Sequence, residues 1–386
     1  MMRRIIRPGK VASGNEALEP RCRPLRLILA TVTVATLAML GPASAGATGQ
    51  TDDVLLSVSC ATSTFCVATG QGTIEPNLLE HWNGHKWSTM RAAARHDILS
   101  GVACLSPGAC IAVGMNSSSV GPSSEKLVTR RWSKVPIVGS SGGVASSFEG
   151  VSCSQGSCFA LGTEVGRPIT GEHGSFFASR PIDTTSWSIE QSVVNPTAFV
   201  YLTSLSCISA EMCVGVGSYQ SNPLGTAQTL AEAWNGSSWS EMAIPSPGTS
   251  SQLSSVSCVS AMACTAVGNS DGNPLIENWD GTSWSVASAP PTNGSLYGVS
   301  CPGSSTCLAV GSSSVGPIGL AWDGSAWAAL PVPMPTGFTS GQLLSVSCTS
   351  DESCMTVGSS TTSDKTISLA ESWNGSSLRI TPTPSP

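Results

Sequence analysis

Fourteen of the chain's 15 cysteines form seven close pairs: Cys60/Cys66, Cys104/Cys110, Cys153/Cys158, Cys207/Cys213, Cys258/Cys264, Cys301/Cys307 and Cys348/Cys354. Each pair sits in one phrase, roughly L-x-S-V-S-C, a short spacer, then C-x-A-V-G. The first cysteines of successive pairs lie 44, 49, 54, 51, 43 and 47 residues apart. A motif returning at such a period specifies one supersecondary unit built seven times. It assigns most of the conspicuous residues to a scaffold and leaves function to whatever interrupts the repeat.

The fifth unit is the clearest copy. Leu253 to Cys258 alternates apolar and small polar residues, the period of a strand. Cys264 to Gly268 predicts a second strand, with Val259 to Ala263 as the hairpin loop between them. Pro274 to Trp279 predicts a third, Asp280-Gly281 a turn, and Thr282 to Val286 a fourth. Such a sheet cannot bury both faces alone, but stacked against copies of itself it can. The expected fold is all-β, a seven-bladed β-propeller of four-stranded antiparallel blades over residues 46–380. The spacing suits a disulfide within each first hairpin, worth about 2 kcal/mol per bridge in the chain-entropy model. Zinc is not expected, because its cysteine pairs have shorter spacers and the chain has only four histidines.

Residues 1–45 read as an export signal, either cleaved or retained as an anchor. Seven basic residues lead into an apolar run from Leu27 to Leu40 and the small-residue site Ala43-Ser44-Ala45. Cys22 falls inside this leader, leaving an even number of cysteines for an oxidising, extracellular compartment. Without its seven basic and two acidic residues the chain keeps 11 basic against 22 acidic, a formal charge of −11. No Lys or Arg occurs between Arg180 and Lys365. Phosphate neutralisation is out of reach, so nucleic acid is excluded as a partner, and anionic lipid is disfavoured. No membrane contact beyond the leader is expected. Residues 381–386, Thr-Pro-Thr-Pro-Ser-Pro, read as a short extended tail.

The phrase W-N-G-x-x-W recurs as Trp82 to Trp87 and Trp234 to Trp239, and with Asp for Asn as Trp322 to Trp327 and Trp279 to Trp284. Together with the V-S-C…C-x-A-V-G phrase, it resembles the secreted, cysteine-paired propeller repeats of actinobacterial exported proteins, distant relatives of kelch and sialidase-type repeats. The likeness covers nearly all of residues 54–380 and implies the fold rather than an activity. The sialidase Asp box and the kelch double glycine are both missing. The second unit keeps only Trp132, the third only Trp187, and the seventh has Leu378 in place of its last tryptophan. The third and seventh units are the expected places for loosening or ring closure.

Tryptophans between blades are read as core. Glu80, Glu232, Glu277 and Glu371, each two residues before a Trp, are read as hydrogen-bonding scaffold. Function is expected on the rim carrying the long connections: Gly162 to Ser179, Gly217 to Ala231, Gly358 to Ala370, Ser133 to Glu149 and Ser188 to Thr203. The candidate ligand-binding residues there are Arg167, Glu172, His173, Tyr201, Tyr219, Asn222 and Tyr297, the last placed like Tyr201 just before its strand phrase. No catalytic residue and no metal ligand is assigned. Calcium could be recruited by the acidic surface, but no calcium-binding motif is present. The expected function is that of a secreted, monomeric recognition propeller for a glycan, a cell-wall polymer or an extracellular protein. The alternative is an extracellular glycoside hydrolase or lyase, sialidase-like, needing paired carboxylates and converging arginines.

Overall fold

The computed structural model describes residues 52–384 except 74–75, 120, 139–144, 155, 166–172, 182–183, 192–198 and 223–224; residues 1–45, read above as an export signal, lie outside them. Seven antiparallel sheets follow in chain order, each made of consecutive strands. Blade one runs Val54–Thr62, Phe65–Gln71, Leu78–Trp82 and Trp87–Thr89; blade five runs Ser251–Ser260, Ala263–Ser270, Asn273–Trp279 and Trp284–Val286. The blades occupy residues 54–89, 97–134, 145–191, 199–242, 251–286, 295–330 and 340–380. The first, inner strands of successive blades contact one another around a closed ring, with blade seven against blade one. Among the described residues no helix is long and apolar enough to cross a membrane.

Each junction between blades encloses its own apolar cluster, so there are seven small cores rather than one. Between blades four and five, for instance, Val214, Val216 and Ala231 meet Leu253, Val256 and Trp284. The outer-strand tryptophan of one blade thus packs on the third strand of the blade before it.

The S-V-S-C phrase has its reason at the axis. In blade one the Ser57 and Ser59 hydroxyls accept the Val102 and Cys104 N–H groups of blade two at 3.3 and 2.9 Å. Ser204 and Ser206 do the same for Val256 and Cys258, and Ser255 and Ser257 for Val299 and Cys301. Ser345 and Ser347 accept from Val58 and Cys60, closing the ring between blades seven and one. Single bonds, Cys207 N–H to Ser152 and Cys348 N–H to Ser300, serve two further junctions. Blade two carries Gly101 and Ala103 at these positions, and among the described residues its junction with blade three has no such bond. There the segment Ile137–Val138 pairs in parallel with Trp187 and Ser188, giving blade three a fifth strand.

Every inner strand also carries a β-bulge just after its buried core residue, at Leu56, Ser100, Glu149, Thr203, Ser254, Tyr297 and Leu344. Beside it stands the glycine that ends C-x-A-V-G. A Cβ on Gly268 would lie 2.0 Å from the Gln252 carbonyl oxygen, and one on Gly114 would lie 1.9 Å from that of Ile98. The bulge presses inner-strand backbone onto the second strand, and only glycine leaves room.

Three expectations need correction. The strands are longer than predicted: the fifth hairpin tightens to Ala261-Met262, and the 358–370 connection shrinks to residues 362–365. The cysteines themselves pair across the ladder, which extends the strands into the loops. Ring closure falls between the seventh and first blades, as the seventh unit's divergence suggested, but the third blade is reinforced by its extra strand rather than loosened. The Glu277 and Glu371 carboxyls are buried and neither makes a hydrogen bond among the described residues, so those two are not bonded scaffold.

Candidate functional site

The ladder defines two rims. Val54 at the start of the inner strand pairs with Gln71 at the end of the second, while Thr62 pairs with Phe65. Blade-to-blade segments and second-to-third-strand loops therefore share one rim. The cysteine hairpins and the Asn-Gly or Asp-Gly turns share the other.

On the loop-rich rim, Arg167 and Glu172 lie outside the described residues. His173 opens the third strand of blade three, His173–Pro181, paired with Val165. Tyr219 ends near the rim in blade four and packs on the core between blades three and four. Tyr201 pairs with Ser218 and Tyr219 with Val200, so strand alternation points the two tyrosines to opposite faces of the same blade. Tyr201 is half-buried, and burial pushes its phenol above the usual tyrosine range, keeping it a neutral hydrogen-bond donor. Asn222 is exposed in the following loop, its carbonyl accepting the Gly225 N–H at 2.9 Å. These residues belong to the neighbouring blades three and four.

Tyr297 does not join them. It occupies the bulge of blade six, one residue after Leu296, whereas Tyr201 precedes its equivalent Leu202. Its hydroxyl accepts from Ser312 Oγ at 3.1 Å. The same rim holds a charged cluster that sequence reading missed. Buried Asp97 accepts from Asn116 Nδ2 at 2.7 Å, from the Ser123 hydroxyl and from the Lys134 ammonium. Lys134–Asp97 is the sole ion pair among the described residues. It was hidden because its members come from separate strands of blade two.

The opposite rim is more regular. All seven predicted disulfides are formed, each within its own hairpin: Cys60–Cys66, Cys104–Cys110, Cys153–Cys158, Cys207–Cys213, Cys258–Cys264, Cys301–Cys307 and Cys348–Cys354. The second-strand member is buried in every pair: Cys66, Cys110, Cys158, Cys213, Cys264, Cys307 and Cys354. These seven are core residues of the blade junctions. Their number fits an oxidising environment.

Across each W-x-G-x-x-W turn the two indoles sit 5.6–5.8 Å apart at a similar tilt. In four blades the third-strand indole N–H donates to its own cysteine hairpin: Trp82 to Ser63 O, Trp234 to Ala210 O, Trp279 to Ala261 O and Trp373 to Asp351 O, at 3.0–3.3 Å. Leu127 and Arg180 replace this tryptophan in blades two and three.

Trp322 in blade six is different. It is half-buried, and its indole N–H has no protein acceptor among the described residues. The hairpin it would reach contains Pro302-Gly303, and its ladder jumps from Ser300↔Leu308 to Gly303↔Thr306 without pairing Cys301 to Cys307. Proline has no N–H to offer the ladder, and this hairpin alone lacks the cysteine rung that the other six possess. Trp322 packs on the core between blades five and six, and two concavities lie near it. One, of about 160 Å³, opens toward blade five with Trp279 and Asn278. The other, of about 560 Å³, opens toward blade seven and is lined by Trp322, Asp323, Asp351, Glu352, Trp373 and Asn374 among others. The signal in the sequence was Pro302, the one proline that directly follows the first cysteine of a pair. Among the described residues no three His, Cys, Asp or Glu side chains converge as metal ligands.

No family model matches the sequence, and no curated protein does. Similar solved structures include a polysaccharide lyase of the ulvan lyase PL25 family, with 9% identity over 85% of this chain and 95% of that one, at a TM-score of 0.55. The polysaccharide lyase Uly1 aligns at 12% identity over 83% and 90% with a TM-score of 0.55. The Hadza microbial sialidase Hz136 aligns at 10% identity over 81% and 74% with a TM-score of 0.52. At these identities the likeness is one of fold: the chain is a β-propeller.

Proposed function

We propose that the protein is an exported, monomeric recognition propeller of the actinobacterial cysteine-paired type, which binds a glycan, a cell-wall polymer or an extracellular protein through its loop-rich rim. The observation that carries this reading is the grouping of non-repeating residues in adjacent blades three and four. His173, Tyr201 and Asn222 lie there, the segments between Val165 and His173 and between Gln220 and Gln228 being the longest second-to-third-strand connections of the seven blades. Function concentrates where a rigid scaffold leaves loops free to vary. Arg167 and Glu172 belong to the first of these segments and are assigned to the same surface. Tyr219 supports it from below. Tyr297, bonded to Ser312 two blades away, is proposed as a peripheral member.

The test is binding of the secreted chain to an array of glycans, cell-wall polymers and extracellular proteins, with products followed in the same samples. Binding without turnover, weakened about tenfold by Tyr201→Ala and abolished by replacing residues 166–172 with Gly-Ser, is expected. Turnover of a bound polysaccharide would instead assign the chain to the extracellular hydrolases or lyases.

A further inference from the structure

Arg180 is the one basic side chain that is buried among the described residues, only 6% exposed. It fills the third-strand position of blade three that holds a tryptophan in blades one and four to seven. Its Nη2 donates to the Thr184 carbonyl at 2.7 Å. Its Nε–H meets no acceptor, and no carboxylate pairs with it among the described residues. A buried carboxyl such as that of Glu277 avoids its charge by keeping a proton. A guanidinium stays ionised, so burying it without a counter-charge is costly. Among the described side chains of blades two and three, the carboxylates are engaged elsewhere. Asp97 pairs with Lys134, Glu125 accepts the Ala93 and Ala94 N–H groups, and Glu149 accepts the Ser147 and Thr163 hydroxyls. Glu164 stands toward the loop-rich rim, opposite Ser146 and Gly174.

Residues directly opposite each other in a ladder share one face of the sheet. Arg180 pairs with Cys158 and Lys126 with Ile111, and both partners belong to the core between blades two and three. The guanidinium therefore faces blade two and the Lys126 side chain faces blade three, on the two walls of one cleft at the disulfide rim. Val128 and Arg131 form the last rung of blade two on the Lys126 face, and both are exposed. The cleft between blades five and six shows the geometry of this place. Asn278, Trp322 and Val259 occupy the positions of Lys126, Arg180 and Leu105, and all three line its volume of about 160 Å³. That cleft is neutral, whereas this one gathers three cations beside Leu105 and Val128, which are 42% and 50% exposed. Nine of the 11 basic residues beyond the leader lie between Lys86 and Arg180, so the positive charge is local to this side of the ring.

We propose that the cleft between blades two and three is a second binding site, which takes the carboxylate or sulfate groups of an acidic polysaccharide. Arg180 holds one anionic group at the base, Lys126 and Arg131 pair with its neighbours along the polymer, and Leu105 and Val128 meet the C–H faces of the sugar rings. A stiff glycan loses less freedom than an acidic peptide on meeting cations fixed in a sheet. The proposal stands independently of the loop-rich rim.

Calorimetric titration of the full secreted chain with an oligogalacturonate, its neutral methyl ester, a sulfated dextran oligosaccharide and an oligoglutamate tests it. An acidic sugar is expected to bind about tenfold or more tightly than the methyl ester, and to weaken as salt is raised. Whichever of the carboxylated and sulfated sugars binds more tightly identifies the anionic group. Arg180→Trp restores the residue that other blades carry at this position and removes that binding. Should Arg180→Trp not fold, Lys126→Asn combined with Arg131→Ser gives the same answer through a loss of about tenfold. Equal binding of the methyl ester, equal binding of oligoglutamate, no binding of either acidic sugar, or binding that survives these substitutions would overturn the proposal.

Discussion

Blades two and five share a strand order and the same bulge, glycine and disulfide, yet they solve their junctions differently. Blade five offers Ser255 and Ser257 to the next blade's N–H groups, whereas blade two has Gly101 and Ala103. The contrast is sharpest at one buried carboxylate. Glu125 accepts the Ala93 and Ala94 N–H groups of the preceding blade-to-blade segment at 2.8 and 2.9 Å. Those residues stand six and seven places after Trp87; six places after Trp239, leading into blade five, stands Pro245, which has no N–H. Glu277 accordingly finds no partner among the described residues, and burial pushes its carboxyl up to about 8. Glu371 repeats the pattern behind Pro333, its carboxyl also raised to about 8 by burial. Behind Pro290-Pro291, blade six has Leu320 at the position instead. The repeat dictates the backbone, and each junction then settles its polar groups according to its own connecting segment.

Where the two blades agree, substitution should hurt both alike. Gly268→Ala and Gly114→Ala each force a methyl onto a carbonyl oxygen, and each is expected to cost about 3 kcal/mol or more in denaturant unfolding. A large difference between them would mean that the bulge is not the shared constraint.

Where they differ, substitution of the carboxylate should change sign. Glu125→Leu orphans two N–H groups and is expected to destabilise by about 1–3 kcal/mol; Glu277→Leu, copying Leu320, stabilises by a similar amount near pH 8. The pH dependence follows from the raised carboxyl. An unfolded glutamate releases its proton near its ordinary value of 4.5, while folded Glu277 holds it until about 8. The folded state thus binds more protons in that window, and stability declines as pH rises through it. Thermal unfolding between pH 5 and about 8.5 should show that decline in the native chain and a shallower one in Glu277→Leu.

Smaller effects belong to the serines. Ser257→Ala should cost about 1 kcal/mol by leaving the Cys301 N–H unmet, and Ala103→Ser should restore about 0.5 kcal/mol at the junction that lacks the bond. Equal and negligible effects at both positions would show that water serves these N–H groups just as well.

Much of this was legible in the residues. The cysteine period carried the seven blades, the hairpin disulfides and the two rims, because identical local phrases must make identical local structure. The bulge was not legible, since it depends on the meeting of two strands, although the glycine repeated in C-x-A-V-G was its trace. The fifth strand of blade three escaped because Ile137–Val138 is too short to show a period. At the candidate sites, sequence reading grouped Tyr297 of blade six with residues of blades three and four, having no means of seeing the bulge that Tyr297 occupies. It treated every tryptophan as core. Trp322 keeps that role, packed on the core between blades five and six, but Pro302, next to Cys301, distorts the hairpin that its N–H would have met.

The closure of the ring has a consequence for how the chain could be cut. Blades one and seven are each built from one continuous stretch, and no strand is exchanged between them. They are joined by the Ser345 and Ser347 hydroxyls and by an Asp53 N–H to Thr366 O bond at 3.1 Å, much as other pairs of blades are joined by side chains. The two ends of the ring are therefore neighbours without being interlocked. A circular permutant that links them through a short flexible segment and opens the chain between blades five and six would keep every sheet and all seven disulfides intact.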